Sequence, residues 1–219
     1  MKLLLSSAGI RTQELADSLA QLVGKDLSGI NVVVINEAAA VEPGDKTWFF
    51  NELGDLRKYV GGEIDFVDLL ALSIDEIVER IAFADVMYVV GGNPDYLLYL
   101  YKKVGFDKLL QDKLLNEKLY VGSSAGSMVL GRRGSTNEYQ EFYGEDRNYG
   151  TTDYLGIVDF VIKPHFESPD LPKNHPDILR QASIAEQQTI YAIQDDQAIV
   201  VQDSEVRFIG GDIFKVEKE

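Results

Sequence analysis

A G-x-S-x-G run, Gly122-Ser123-Ser124-Ala125-Gly126, follows directly on the apolar stretch Lys118 to Val121. A serine at a sharp strand-to-helix turn is held in a strained backbone conformation with its hydroxyl pushed out above the sheet. Glycines suit the flanking positions, because side chains two before and two after the serine would collide across the turn. The apolar Met128 to Leu130 then reads as helical. A helix opening there aims the Ala125 amide at the space over Ser124, where an oxyanion would develop. The register of the turn favours Ser124 over the neighbouring hydroxyls of Ser123 and Ser127. The plain alternative is an ordinary tight turn with Ser123 or Ser127 capping a helix.

A serine nucleophile at neutral pH needs a base to take its proton, and histidine is the usual one. Only two histidines exist in the chain. His165 follows Val158-Asp159-Phe160-Val161-Ile162 in Lys163-Pro164-His165-Phe166, so it stands at a strand end, a favoured place for a catalytic group. His175 sits in the polar turn Pro172 to Asp177 and reads as a solvated loop residue. A third group must hold the imidazole by its other nitrogen. Asp195 and Asp196 lie between two strand-like runs, Thr189 to Ile193 and Ala198 to Val201, where a carboxylate would be anchored. Asp195 is the candidate, with Asp196 open beside it and a simple β-turn as the bland account of the pair. The chain order is then Ser, His, Asp. An α/β-hydrolase esterase would instead carry its acid before the histidine, among Glu138, Glu145, Asp153 and Asp159.

Positioning these groups requires a particular scaffold. Apolar runs of strand length at Lys2 to Leu5, Ile30 to Ile35, Ile64 to Leu70, Val86 to Val90 and Lys118 to Val121 alternate with helix-period segments. Continuous apolar strands separated by helices predict a mostly parallel sheet covered on both faces. The runs Val158 to Ile162, Thr189 to Ile193, Ala198 to Val201 and Val206 to Ile209 crowd together with few helices between them, which predicts a partly antiparallel flank on that sheet. Residues 1–219 read as one domain, with Gly131 to Thr152 its most polar, glycine-rich stretch and a candidate lid.

Composition narrows the function. With 45% hydrophobic and 26% charged residues, the chain has a globular balance. No cysteine is present, which excludes disulfides, thiolate metal sites and cysteine nucleophiles. A net charge of −15, from 36 acidic and 21 basic residues, opposes binding to nucleic acid or an anionic membrane. The apolar N-terminal run stops at Leu5, short of a signal segment, and no run approaches a bilayer span. The expectation is a cytoplasmic protein, a monomer or homodimer, that needs no metal or organic cofactor.

Three segments resemble the peptidase E family of serine peptidases, which includes aspartyl dipeptidase and cyanophycinase: Val89-Val90-Gly91-Gly92-Asn93-Pro94, Val121-Gly122-Ser123-Ser124-Ala125-Gly126-Ser127 and Lys163-Pro164-His165-Phe166. The resemblance implies a flavodoxin-like three-layer sandwich, similar to class I glutamine amidotransferase domains. It implies Ser124 as nucleophile, His165 as base, and Asp195 where the family usually has glutamate. It places the oxyanion hole on the amides of Ala125 and of Gly91 or Gly92, with Gly92 preferred. Glu138 is the nearest match to an auxiliary acid found after the elbow. The sequence departs from the pattern in the shorter acid and in a glycine loop lacking a third glycine and a threonine. Small peptides, dipeptides among them, are the implied substrates. An aspartate preference would need a local cation, for which Arg132, Arg133, Arg147 and Arg180 are candidates. The rival reading to both enzymes is a non-catalytic binding domain on the same scaffold.

Overall fold

A computed structural model describes residues 1–133, 149, 153–169 and 175–218. The strands β1 (Lys2–Ser6), β2 (Val32–Ile35), β3 (Ile64–Phe66), β4 (Val86–Val89) and β5 (Leu119–Ser123) alternate with helices α1 (Gln13–Val23), α2 (Glu37–Ala40), α3 (Thr47–Tyr59), α4 (Ile74–Phe83), α5 (Pro94–Val104), α6 (Phe106–Leu109) and α7 (Leu115–Glu117). After β5 come α8 (Ala125–Met128), β6 (Val161–Lys163), α9 (Pro176–Glu186), β7 (Ile190–Ala192), β8 (Ala198–Gln202), β9 (Glu205–Ile209) and β10 (Phe214–Val216).

Seven strands form the main sheet in the order β3-β2-β4-β5-β1-β8-β9. The five strands from β3 to β1 run parallel, and β8 and β9 add antiparallel to the β1 edge. Alternation along each strand sorts side chains to two faces. Leu3, Leu5, Val33, Ile35, Met87 and Val89 pack with Ile77 and Ile81 of α4 and Leu97, Leu98 and Tyr101 of α5. Leu4, Val32, Val34, Val86 and Tyr88 pack on the other face with Leu15, Leu19 and Leu22 of α1 and Leu56 of α3. Burial on both faces is why these strands read as unbroken apolar runs.

Local signals set the helix ends. The Thr12 side chain accepts from the Leu15 amide to start α1, and Gly24 ends that helix in the left-handed region. Ser73 and Glu76 form a capping box on α4. Asn93 caps α5 through the Tyr96 amide, with Pro94 in the first turn, where a missing N–H costs nothing.

Two expectations are corrected. The strand predicted over Ile64 to Leu70 ends at Phe66, because the Asp68 carboxylate takes the amides of Leu70 and Ala71 and turns the chain. The late strands do not all flank the main sheet. β6 and β7 pair in parallel with each other and β10 joins β7 antiparallel, making a separate three-stranded sheet. Its first strand begins at Val161, not Val158, since the Ile157 and Val158 amides are drawn to the Leu130 carbonyl. Only β8 and β9 form the antiparallel flank. Among the described residues no helix is long and apolar enough to cross a membrane.

Candidate active site

Strand register brings three distant segments together. Parallel pairing of β1 with β5 sets Ser6 opposite Ser123, so the residues after each strand, Ser7 and Ser124, emerge at one sheet edge. Parallel pairing of β6 with β7 sets Lys163 opposite Ala192, so His165 and Asp195 emerge side by side. That pairing continues past the strands through the Ile193 amide to Lys163 O (2.9 Å) and the Phe166 amide to Ile193 O (3.0 Å). Antiparallel pairing of β8 with β1 sets Ala198 opposite Ser6, and the Ser7 amide donates to Gln197 O, which brings the Asp195 turn to the end of β1.

The elbow is built by close backbone approach. Ser124 has φ 45° and ψ −108°, a conformation that costs a non-glycine residue roughly 1–3 kcal/mol. A Cβ on Gly126 would meet Val89 O at 2.3 Å, and one on Gly122 would meet the Gly126 carbonyl at 2.7 Å. Only glycine fits either place. Ser6 secures the turn from β1: its carbonyl accepts from the Ser124 amide (3.1 Å) and the Ser127 hydroxyl (2.8 Å), and its own hydroxyl donates to Gly122 O (2.9 Å). Ser127 is thus committed to the backbone and Ser123 is fully buried, whereas Ser124 is part-exposed.

His165 Nε2 lies 3.0 Å from Ser124 Oγ, and His165 Nδ1 lies 2.6 Å from Asp195 Oδ1. The hydrogen bond from His165 holds the Asp195 carboxyl below the usual carboxylate range, against its partial burial, with Ser7 and Arg11 adding to the effect. An ionised carboxylate can only accept, so Nδ1 carries the ring proton and Nε2 offers its lone pair to the Ser124 hydroxyl. His165 itself sits at φ 58°, and its amide donates to the Ser7 hydroxyl at 2.8 Å. Ser7 in turn donates to Asp195 Oδ1 at 2.9 Å. Arg11 reaches Asp195 Oδ2 at 3.3 Å.

The structure therefore brings Ser124, His165 and Asp195 into one chain of hydrogen bonds, and it is Asp195, not the exposed Asp196, that faces the ring. Gly91 borders Ser124, since a Cβ there would stand 3.2 Å from Ser124 Cβ. Gly92 follows at φ 129°, tight against the Ala38 carbonyl. Among the described residues, the amides of Gly92 and Ala125 have no hydrogen-bond acceptor. Glu138, Glu145 and Arg147 lie outside the described residues, as does most of the candidate lid. Asp159 is engaged by Arg132 and Lys218, which removes one acid from the α/β-hydrolase order. The other candidate cations are also paired, Arg133 with Asp95 and Arg180 with Asp177. His175 stands exposed at the start of α9 and offers no cap to it. No group of three or more histidine, aspartate or glutamate side chains suited to a metal ion occurs among the described residues.

Three neighbours of the site escaped the sequence reading: Ser7, Arg11 and Glu52. A signal existed for the first, the small polar run Ser6-Ser7-Ala8-Gly9 directly after a buried strand. Arg11 and Glu52 look like ordinary charges on amphipathic segments, and their spacing carries no mark of the site.

A parallel α/β sheet carrying a strained serine at its edge, beside an imidazole of fixed tautomer, is the arrangement of a serine hydrolase. Comparison with known proteins narrows the class. Residues 3–209 match the sequence model of peptidase family S51, and the chain belongs to that family, as a serine-type peptidase. It is 29% identical to the uncharacterized peptidase Lmo0363 of Listeria monocytogenes, over 83% of this chain and 86% of that one. It is 30% identical to the uncharacterized peptidase Lin0382 of Listeria innocua, over 83% and 85%. The crystal structure of a candidate peptidase E protein from Listeria monocytogenes superposes with a TM-score of 0.74 at 25% identity, covering 94% of this chain and 96% of that one. A peptidase from an acI-B1 actinobacterium shares the fold, with a TM-score of 0.64 at 21% identity over 99% and 93% of the two chains.

Proposed function

We propose that this serine-type peptidase hydrolyses small peptides, dipeptides among them, through an acyl-enzyme on Ser124. The observation that carries the reading is the 3.0 Å approach of Ser124 Oγ to His165 Nε2 while Nδ1 is held by Asp195. Ser124 Oγ attacks the scissile carbonyl as its proton passes to Nε2. The carbonyl oxygen becomes an oxyanion received by the Ala125 and Gly92 amides. Collapse breaks the C–N bond, and the imidazolium returns its proton to the leaving amine. Water, deprotonated by the same imidazole, then releases the acid and restores the serine. Asp195 stays ionised throughout and offsets the charge of the imidazolium.

An alkyl fluorophosphonate should label the protein at one residue, Ser124, as mapped by mass spectrometry of its peptides. A dipeptide library supplies the turnover assay. Ser124→Ala should lose both activities, and Asp195→Asn should lower kcat by about 10³- to 10⁴-fold by disfavouring the tautomer the mechanism needs. Hydrolysis that persists in purified Ser124→Ala protein would remove the serine from the mechanism.

A further inference from the structure

Beneath the elbow lies a carboxyl that this scheme leaves unused. Glu52, midway along α3, is buried with only 7% of its surface exposed. A carboxyl so far out of water is costly unless it is bonded. Tyr88, on β4, donates its hydroxyl to Oε1 at 2.9 Å. The other oxygen faces the glycine loop: a Cβ on Gly91 would stand 3.7 Å from Oε2 and 3.2 Å from Ser124 Cβ. The Gly91 position thus lies close to both this carboxyl and Ser124. A second glycine makes room from the β1 side, since a Cβ on Gly9 would meet the Tyr88 hydroxyl at 2.5 Å and Glu52 Cγ at 2.9 Å.

From this packing we infer that Glu52, held by Tyr88, is a positioning residue of the hydrolytic site: a second carboxylate behind the Ser124–His165 pair that favours the imidazolium and steadies the Gly91 loop. The inference rests on the reading of Ser124 and His165 as nucleophile and base. Burial pushes the Glu52 carboxyl up to about 7, against the opposing pull of Tyr88, Ser123, His165 and the Gly91 amide. Attraction between charges is mutual, so a protonated His165 that favours the Glu52 carboxylate is itself favoured by it. Among the described residues, the titratable groups that act on Glu52 include Tyr88 from β4 and His165 from the loop after β6. Asp55, one turn along α3, acts on Tyr88 and lies 4.0 Å from Arg11. Near neutral pH the charge at Glu52 therefore changes, and with it the stabilisation of the charged transition state.

The test is the second-order rate of labelling by an alkyl fluorophosphonate from pH 5 to 9, for the wild type, Glu52→Gln and Tyr88→Phe. At pH 5 to 5.5 the wild-type carboxyl is protonated and glutamine imitates it, so the two rates should agree. By pH 8.5 the Glu52→Gln rate should be about threefold to tenfold lower, with the wild-type to mutant ratio rising through the Glu52 ionisation near pH 7. Tyr88→Phe keeps the carboxyl but removes a donor to its charged form, and should move that ionisation to higher pH. A merely structural role for Glu52 would lower the rate by the same factor at every pH, and that result overturns the inference. An unmoved midpoint in Tyr88→Phe overturns it too, and decides alone if Glu52→Gln does not fold. If the folded wild type is not labelled at any pH, the hydrolytic reading fails and takes this inference with it. Labelling of the wild type with a pH-independent mutant ratio sinks the inference and leaves the hydrolytic reading standing.

Discussion

Replacing Glu52 by glutamine should make the folded protein relatively more stable as the pH rises. In the unfolded chain this carboxyl titrates near 4.5, whereas burial in the native state lifts it to about 7. Between those two values the folded state binds more protons than the unfolded state. Stability contributed by the protonated, Tyr88-bonded carboxyl is complete below about pH 4.5 and is lost as the pH rises through about 7. A displacement of that size corresponds to roughly 3 kcal/mol, a large share of a domain's usual 5–15 kcal/mol. Glutamine keeps the shape and can accept from Tyr88, but it has no proton to lose. The stability difference, Glu52→Gln minus wild type, should therefore climb by about 3 kcal/mol between pH 4.5 and 8.5. Other groups titrate in the same window, among them Glu37, whose carboxyl burial also raises, but they are common to both proteins and cancel in the difference. Urea unfolding at a series of pH values measures it, followed by the emission of Trp48, the single tryptophan. A difference constant with pH to within about 0.5 kcal/mol would mean that Glu52 is not proton-linked to folding, and the desolvation argument would be wrong.

Three further substitutions separate chemistry from architecture. Ser7→Ala removes both the donor to Asp195 Oδ1 and the acceptor for the His165 amide, so labelling of Ser124 should slow by about tenfold, with a stability loss of only about 1–3 kcal/mol in urea unfolding. A rate equal to wild type would show that Asp195 and His165 hold their places without it. Gly126→Ala drives a methyl group to 2.3 Å from the Val89 carbonyl and should cost about 3 kcal/mol or more in urea unfolding. Gly29→Ala, with nothing within 4 Å, should stay within about 0.5 kcal/mol of wild type.

Much of the scaffold was legible because its cause is local. Val32–Ile35 is β-branched and buried throughout, Asn93-Pro94 opens a helix, and Ser73 with Glu76 caps one. The elbow was legible partly for the same reason: Gly122 answers to the Gly126 carbonyl within one turn, whereas Gly126 answers to Val89 of the neighbouring strand β4. The fate of the late strands was less legible. Val158 to Ile162 and Thr189 to Ile193 have the same apolar character whether they extend the main sheet or form a second one. Pairing partners are chosen across the fold, and composition does not record the choice.

The sequence by itself determined which hydroxyl could be exposed on a strained turn, which imidazole stood at a strand end, and the absence of a competing cysteine. It preferred Asp195 but left Asp196 open beside it in one turn, marked Ser7 only by a small polar run after a strand, and gave no sign that Arg11 or Glu52 had any part in the site. The placing of Asp195 and Ser7 was decided by register, that of Glu52 by the packing of α3. β6 beside β7 puts residues 165 and 195 together across 30 positions of chain, and β8 against β1 carries that pair to Ser7 and the elbow. The physical reason is that a side chain's type follows from the turn it occupies, whereas its neighbours follow from hydrogen-bonded strand pairing, which closes only when the whole sheet assembles.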